Sequence, residues 1–104
     1  MSIGDVTRRN DGYCQVYDQH NRQIASGYVG SGNDDWDFSD SIIITRRNDG
    51  YTTVFDESLR QVASGYVGSS NDDYNVIGDN IIIKRSDGYR TIFDRHLRQI
   101  SSGY

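Results

Sequence analysis

One stretch of the chain occurs three times at intervals of 38 residues, and this repeat constrains the fold more than any other feature. The copies begin at Arg8, Arg46 and Lys84, and they read RRNDGYCQVYD, RRNDGYTTVFD and KRSDGYRTIFD. A repeat of this length is one supersecondary unit, which buries its apolar residues only by packing on its neighbours. We therefore predict a single domain over 1–104, made of three repeats at about 1–41, 42–79 and 80–104.

Each repeat has the pattern of short antiparallel strands. In the first copy Tyr13 and Gln15 alternate with Cys14 and Val16, as expected for a strand with two different faces, and the Asp-Gly pair before it favours a hairpin turn. Further strands are predicted at 23–28, 61–66 and 99–104, with a short fourth strand at 74–77. No segment shows helical periodicity. The chain is thus predicted to be all-β. Three equivalent residues are expected to be buried: Val16, Val54 and Ile92.

Three architectures accommodate three copies of a small sheet with pseudo-threefold symmetry. They are a β-prism, a β-trefoil, and half of a six-bladed β-propeller that a second chain completes. Open strand edges at the two ends of the chain favour pairing with another chain. We therefore expect a homodimer.

The repeats resemble the bulb-type mannose-binding lectins of the β-prism II class over nearly the whole chain. The sugar motif of that family is Gln-x-Asp-x-Asn-x-Val-x-Tyr, and its Asp and final aromatic residue are matched in every repeat while Gln, Asn and Val are replaced. The family's buried tryptophan is also absent, since Ala25, Ala63 and Ser101 stand in its place. We expect the interior to be filled by three tyrosines instead: Tyr28, Tyr66 and Tyr104.

The resemblance implies a non-catalytic, lectin-like module with up to three equivalent sugar sites. Arg47, Asp49 and Tyr51 have odd spacing along the hairpin, as do their copies, and are therefore expected to lie close together on one side of each sheet. Charged side chains would bind hydroxyl groups, and aromatic rings would cover C–H groups. The predicted ligand-binding residues are Arg9, Asp11, Tyr13 and Tyr17, then Arg47, Asp49, Tyr51 and Phe55, and finally Arg85, Asp87, Tyr89 and Phe93. The alternative is structural, because an Asp at this position often binds its own turn.

A second function class is an acidic protein-interaction module, such as a small inhibitor or an assembly subunit. Trp36 and Tyr74, with the acidic loops around them, would then contact the partner, since aromatic and arginine side chains are the usual anchors of interfaces. The paired carboxylates Asp34-Asp35 and Asp72-Asp73 leave calcium binding as an alternative, but we predict no cofactor and no metal. His20 and His96 are predicted to lie in solvated turns, and no catalytic constellation is found.

The composition of the chain excludes some classes of binding partner. The net charge of −4 has the wrong sign for binding a nucleic-acid backbone. No apolar run is long enough for a membrane span, and no secretory leader is visible. The single cysteine, Cys14, has Thr52 and Arg90 at its equivalent positions and is predicted to be a packing residue. A cytoplasmic location is therefore expected.

Overall fold

The computed structural model describes residues 2–30, 32, 34–69 and 72–104, and these residues form strands and turns only. The eleven strands build three separate antiparallel sheets, which confirms the predicted all-β fold of three repeated sheets. Because the described residues include no helix, they also include no helix long and apolar enough to cross a membrane.

The sheets follow one another along the chain, and each is a simple up-and-down meander. Sheet 1 contains β1 (Ile3–Arg8), β2 (Tyr13–Asp18) and β3 (Gln23–Tyr28). Sheet 2 contains β4 (Asp35–Phe38), β5 (Ile43–Arg46), β6 (Tyr51–Phe55) and β7 (Gln61–Tyr66). Sheet 3 contains β8 (Asp73–Ile77), β9 (Asn80–Lys84), β10 (Arg90–Phe93) and β11 (Gln99–Gly103). The predicted fourth strand is present as β8, and it pairs with the strand that follows it, as β4 does in sheet 2.

The hairpin turns form as the Asp-Gly pairs predict. Gly12, Gly50 and Gly88 have φ of 95°, 93° and 93°, a conformation that glycine adopts without the steric cost of a side chain. In the first turn the amide of Gly12 donates to the carbonyl of Arg9 at 3.0 Å. The other two turns repeat this bond, so the three hairpins have the same geometry.

Strand alternation gives each sheet two faces, which we name by their residues. The rear face carries Val16 in sheet 1, Val54 in sheet 2 and Ile92 in sheet 3. The front face carries the residues between them, such as Ile43 in sheet 2 and Ile81 in sheet 3. The predicted alternation of β2 is confirmed, because Cys14 and Val16 are buried while Tyr13, Gln15 and Tyr17 are half-buried.

The sheets stack in chain order, each rear face against the next front face. One core joins the rear face of sheet 1 to the front face of sheet 2 and contains Val6, Cys14, Val16, Ile43 and Phe55. The second core joins sheets 2 and 3 in the same way and contains Ile42, Ile44, Val54, Ile81 and Ile83. Stacking in this order leaves the front face of sheet 1 and the rear face of sheet 3 without a covering sheet.

A leucine–glycine contact is repeated at both stacking interfaces. A methyl carbon of Leu59, in the turn between β6 and β7, lies 3.9 Å from where a side chain on Gly27 would begin. Leu97 of sheet 3 lies in the same way 4.0 Å from Gly65 of sheet 2. Both leucines have φ near 62°, which is uncommon for a leucine and aims the side chain at the preceding sheet.

Two predictions about the core are corrected. Val16 and Val54 are fully buried, but Ile92 is only half-buried because the rear face of sheet 3 has no sheet against it. Tyr28, Tyr66 and Tyr104 do not fill the interior, since they are 67%, 66% and 81% exposed. Tyr28 pairs with Tyr13 on the front side of sheet 1, away from the rear-face core, and its equivalents do the same in their sheets.

Candidate functional site

Four side chains meet at the hairpin end of each sheet, and we call each group a hairpin cluster. Its members are an arginine and an aspartate from the turn, a tyrosine that opens the next strand, and a tyrosine at the end of the third strand. The clusters consist of Arg9, Asp11, Tyr13 and Tyr28 in sheet 1; Arg47, Asp49, Tyr51 and Tyr66 in sheet 2; and Arg85, Asp87, Tyr89 and Tyr104 in sheet 3.

The geometry of the first cluster shows how these groups fit together. A terminal nitrogen of Arg9 donates to the Asp11 carboxylate at 3.0 Å. The same guanidinium lies over the Tyr13 ring, 4.7 Å from its centre. The ring of Tyr28 meets the Tyr13 ring edge-on, with 5.0 Å between centroids. The prediction that Arg, Asp and Tyr of each repeat lie close together is therefore confirmed by the distances.

The other two clusters repeat this arrangement closely. The arginine–carboxylate distances are 3.1 Å for Arg47–Asp49 and 2.8 Å for Arg85–Asp87. The two tyrosine pairs have their ring centres 5.0 Å apart, as in the first cluster. The three copies thus present the same surface three times, although the sequences around them differ.

The aspartate of each cluster also binds its own turn. One carboxylate oxygen of Asp11 accepts from the amide of Tyr13 at 3.1 Å, and Asp49 and Asp87 bind Tyr51 and Tyr89 likewise. The side-chain hydrogen bond from Arg9 lowers the pKa of Asp11, and Asp11 in turn raises the pKa of Arg9. The aspartate therefore does bind its own turn, which was the structural alternative to ligand binding. This hydrogen bond fixes the carboxylate next to the arginine.

The structure also places a groove beside the third cluster. Its lining comes from the front face of sheet 3, including Arg85, Tyr89 and Thr91, and from the loop that leaves sheet 2, including Gly68 and Asp72. Asp72 is held in this loop by the amide of Ser69, which donates to its carboxylate at 2.9 Å. A ligand that contacts the third cluster can therefore also contact the neighbouring repeat.

Three predicted site residues lie away from the clusters. Phe55 is 8% exposed and belongs to the core between sheets 1 and 2, while Phe93 packs against the core between sheets 2 and 3. Tyr17, their equivalent in sheet 1, is half-buried on the uncovered front face. A buried Phe55 cannot contact a ligand, so this part of the predicted site is corrected. In sheets 2 and 3, the aromatic residue at the end of the central strand therefore lies in the stacking interface.

The two partner-binding candidates also contribute to stacking. Trp36 packs against the first core, and Tyr74 packs against the second. The Tyr74 hydroxyl donates to the carbonyl of Trp36 at 3.3 Å, which links sheet 3 to sheet 2. Burial raises the pKa of Tyr74 to about 12. Both rings are half-buried, and their role in binding a partner stays a prediction.

The remaining candidates are placed as follows. His20 and His96 are exposed in turns, as predicted, and Cys14 is a fully buried, free thiol in the first core. Asn33 and Asn71, which accompany the paired carboxylates in sequence, lie outside the described residues. Within 2–30, 32, 34–69 and 72–104, no three His, Cys, Asp or Glu side chains gather where they would hold a metal ion.

Three cluster members were not among the predicted ligand-binding residues: Tyr28, Tyr66 and Tyr104. Their signal was their position in the repeat, because each lies at the end of a strand that pairs with the strand beginning at Tyr13, Tyr51 or Tyr89. No protein-family model matches the chain, and a search of curated proteins finds no match.

Proposed function

We propose that this chain is a non-catalytic binding module that recognises saccharides through its hairpin clusters. The observation that supports the proposal most is the threefold repetition of a tyrosine pair, with one half-buried and one exposed ring, beside an ion pair. Tyrosines that are 66–81% exposed add little to a core, yet all three repeats carry them in the same geometry. Equivalent sites on one rigid scaffold suit a ligand with repeated units, because binding at one site raises the effective concentration at the next.

The chemistry of the cluster suits a sugar. The rings of Tyr28 and its equivalents offer apolar surface with a hydroxyl at the tip, which matches the C–H and O–H groups of a pyranose. The guanidinium offers several donors in a fixed plane. The carboxylate of Asp49 has about four acceptor sites, of which Tyr51 and Arg47 use two in the structure. A hydroxyl group can therefore bind there without breaking the turn.

The resemblance to the bulb-type lectins supports the same proposal at the level of the motif. The aspartate of the lectin motif is also the aspartate of the hairpin cluster. The final aromatic residue of the motif is not available, however, because Phe55 is buried. We therefore assign its part in the site to the exposed tyrosine at the end of the third strand of each sheet.

A variant that removes only the exposed rings tests the proposal. We would screen the chain on a glycan array and titrate the best saccharide by calorimetry. The triple variant Tyr28→Ala, Tyr66→Ala and Tyr104→Ala is expected to keep its melting temperature and to bind at least about tenfold more weakly, which corresponds to about 1.4 kcal/mol. The matched control replaces Ile77 and Ile100, which are exposed but outside the clusters, with alanine.

The outcomes separate binding from structure. Loss of saccharide binding in the tyrosine variant but not in the control supports the proposal. Equal binding by both variants contradicts it, as does an array with no saccharide bound. A further triple variant, with Asp11, Asp49 and Asp87 replaced by asparagine, tests the carboxylates. Asparagine keeps the acceptor for the turn, so this variant is expected to fold and to bind more weakly.

A protein-interaction module is the second candidate, and one observation favours it. The rear face of sheet 3 exposes Ile100, whereas its equivalents Ile24 and Val62 pack against the two cores. Apolar surface that is covered in two of three repeats is suited to contact with another protein.

A further inference from the structure

The stacking pattern leaves one rear face and one front face of the chain without a sheet packed on it. Sheets 2 and 3 each place a front face on the rear face of the preceding sheet. The rear face of sheet 3 receives no front face, and the front face of sheet 1 covers no rear face. A second copy of the chain can supply what each of these two surfaces lacks.

The rear face of sheet 3 has the same arrangement of residues as the rear face of sheet 2, on which another sheet packs. Ile82 and Ile92 stand where Ile44 and Val54 stand in sheet 2, and Gly103 stands where Gly65 stands. These residues line a surface depression together with Arg90, Ser101, Ser102 and Tyr104. Nothing lies within 4 Å of where a side chain on Gly103 would begin, whereas Gly27 and Gly65 are each contacted by a leucine. The third place for this contact is therefore open.

The front face of sheet 1 has residues at the same positions as the front faces that pack inside the stack, but some of these residues are polar. Thr7 is equivalent to Thr45, and Tyr17 is equivalent to Phe55. Asn21 has a φ of 62° in the turn where Leu59 and Leu97 have the same φ. If sheet 1 of one copy lies on sheet 3 of another as the internal sheets do, Asn21 contacts Gly103.

Charge favours this arrangement over contact between two identical faces. The rear face of sheet 3 carries Lys84 and Arg90 in one row with a single acid, Asp73. Two such faces in contact would bring four cations together. The front face of sheet 1 instead carries Asp5 at the position of Ile43 and Ile81. An acid on one surface and an excess of basic groups on the other make the two surfaces complementary.

We propose that two copies of this chain associate head to tail, with the front face of sheet 1 on the rear face of sheet 3. In a closed pair both such interfaces form at once, which gives a ring of six sheets. An arrangement that does not close would instead add further copies in a row. This inference concerns the ends of the stack and does not depend on saccharide binding at the hairpin clusters.

Sedimentation of the full chain over a range of concentrations tests the proposal. The expected result is a reversible shift from 11.8 kDa to a mass of two or more chains. Asn21→Leu restores the leucine of the internal interfaces, and it is expected to tighten association by about tenfold or more, since burying a leucine contributes over about 1.4 kcal/mol. Gly103→Leu fills the open place and is expected to weaken association to the same extent or more.

The controls separate docking from folding. Circular dichroism and thermal melting verify that each variant is folded. Ile100→Glu is a second blocking variant at an exposed position, and the control Tyr66→Ser changes an exposed residue outside both end faces. A single-chain mass at all concentrations, in both the natural sequence and Asn21→Leu, overturns the proposal. So does an association that Gly103→Leu and Ile100→Glu leave unchanged, or that Asn21→Leu does not strengthen.

Discussion

The rear faces of sheets 2 and 3 are built from the same repeat but have different surroundings. In sheet 2, Ile44 and Val54 are fully buried under sheet 3. Their equivalents in sheet 3, Ile82 and Ile92, are half-buried and form part of an open depression. The repeat sequence alone therefore does not fix how deeply a position is buried. The next sheet in the stack decides it.

The polar residues of the two faces differ in a way that fits this change. Arg46 is buried on the rear face of sheet 2 and binds three groups, the hydroxyl of Thr52 and the carbonyls of Val67 and Ser69, at 2.8–3.0 Å. Sheet 3 has the exposed Lys84 at that position and Arg90 in place of Thr52. On the internal face, the charged side chain of Arg46 binds a loop. On the outer face, Lys84 and Arg90 are exposed to solvent.

The largest difference between the faces is expected for their central isoleucines. Ile44→Ala leaves a cavity in a closed core, and it should lower the free energy of unfolding by about 2–5 kcal/mol. Ile82→Ala removes a side chain that solvent already reaches, so its effect should be less than half as large. Urea denaturation of both variants measures the two losses. Equal losses would mean that the rear face of sheet 3 is covered to the same degree.

The next difference concerns the basic residue of the same row. Burial lowers the pKa of Arg46, while the nearby carboxylate of Asp72 favours its charged form. The Arg46 side chain also donates to two loop carbonyls. Arg46→Met leaves two loop carbonyls without their donor, which should cost about 1–3 kcal/mol. Lys84→Met on the exposed face should change stability by less than about 0.5 kcal/mol. A loss from Lys84→Met as large as that from Arg46→Met would contradict the comparison.

The smallest expected effect concerns the aspartate that begins the turn after the central strand. Asp18 is buried in sheet 1, and Asp94 is half-buried in sheet 3. Each accepts two amide hydrogen bonds in its turn, at 2.8–2.9 Å. The amide of Arg22 contributes most to lowering the pKa of Asp18, and the amide of Arg98 contributes most for Asp94.

The sign of the pH effect follows from these lowered pKa values. The unfolded chain binds protons on these carboxylates before the folded chain does, so their contribution is present above about pH 4 and is lost as the pH falls further. Asp18→Asn and Asp94→Asn should therefore differ from the natural sequence most at neutral pH and least in acid. Denaturation midpoints from pH 7 down to pH 2 measure this. A difference that does not narrow in acid would contradict the assigned cause.

The repeat sequence was sufficient to predict the strands, the hairpin turns and the proximity of arginine, aspartate and tyrosine. Those features depend on local chemistry: an Asp-Gly turn, a two-residue alternation and side chains that project from one hairpin. The ion pairs that close the second turn, such as Asp18–Arg22 at 3.3 Å, belong to the same class.

The burial of Phe55 and the exposure of Tyr66 could not be predicted in the same way. Both are aromatic residues on the front face of sheet 2, so the alternation treats them alike. Only the position of sheet 1 distinguishes them, because it covers Phe55 and leaves the hairpin end free. The burial of Arg46 also depends on a distant segment, since the loop that it binds lies more than 20 residues further along the chain. Contacts between segments that are distant in sequence, and not the alternation along one strand, determine these features.

The central claim is that a leucine from the following sheet occupies the place above Gly27 and above Gly65, and that the equivalent place above Gly103 is open. Thermal melting of Gly65→Leu and Gly103→Leu tests it most directly, at concentrations where the chain is a single species. In Gly65→Leu the new side chain meets Leu97, which lies 4.0 Å from where it would begin, and overpacking should cost about 1–3 kcal/mol. Gly103→Leu should melt at the same temperature as the natural sequence. Equal destabilisation by both variants, or by neither, would contradict the account.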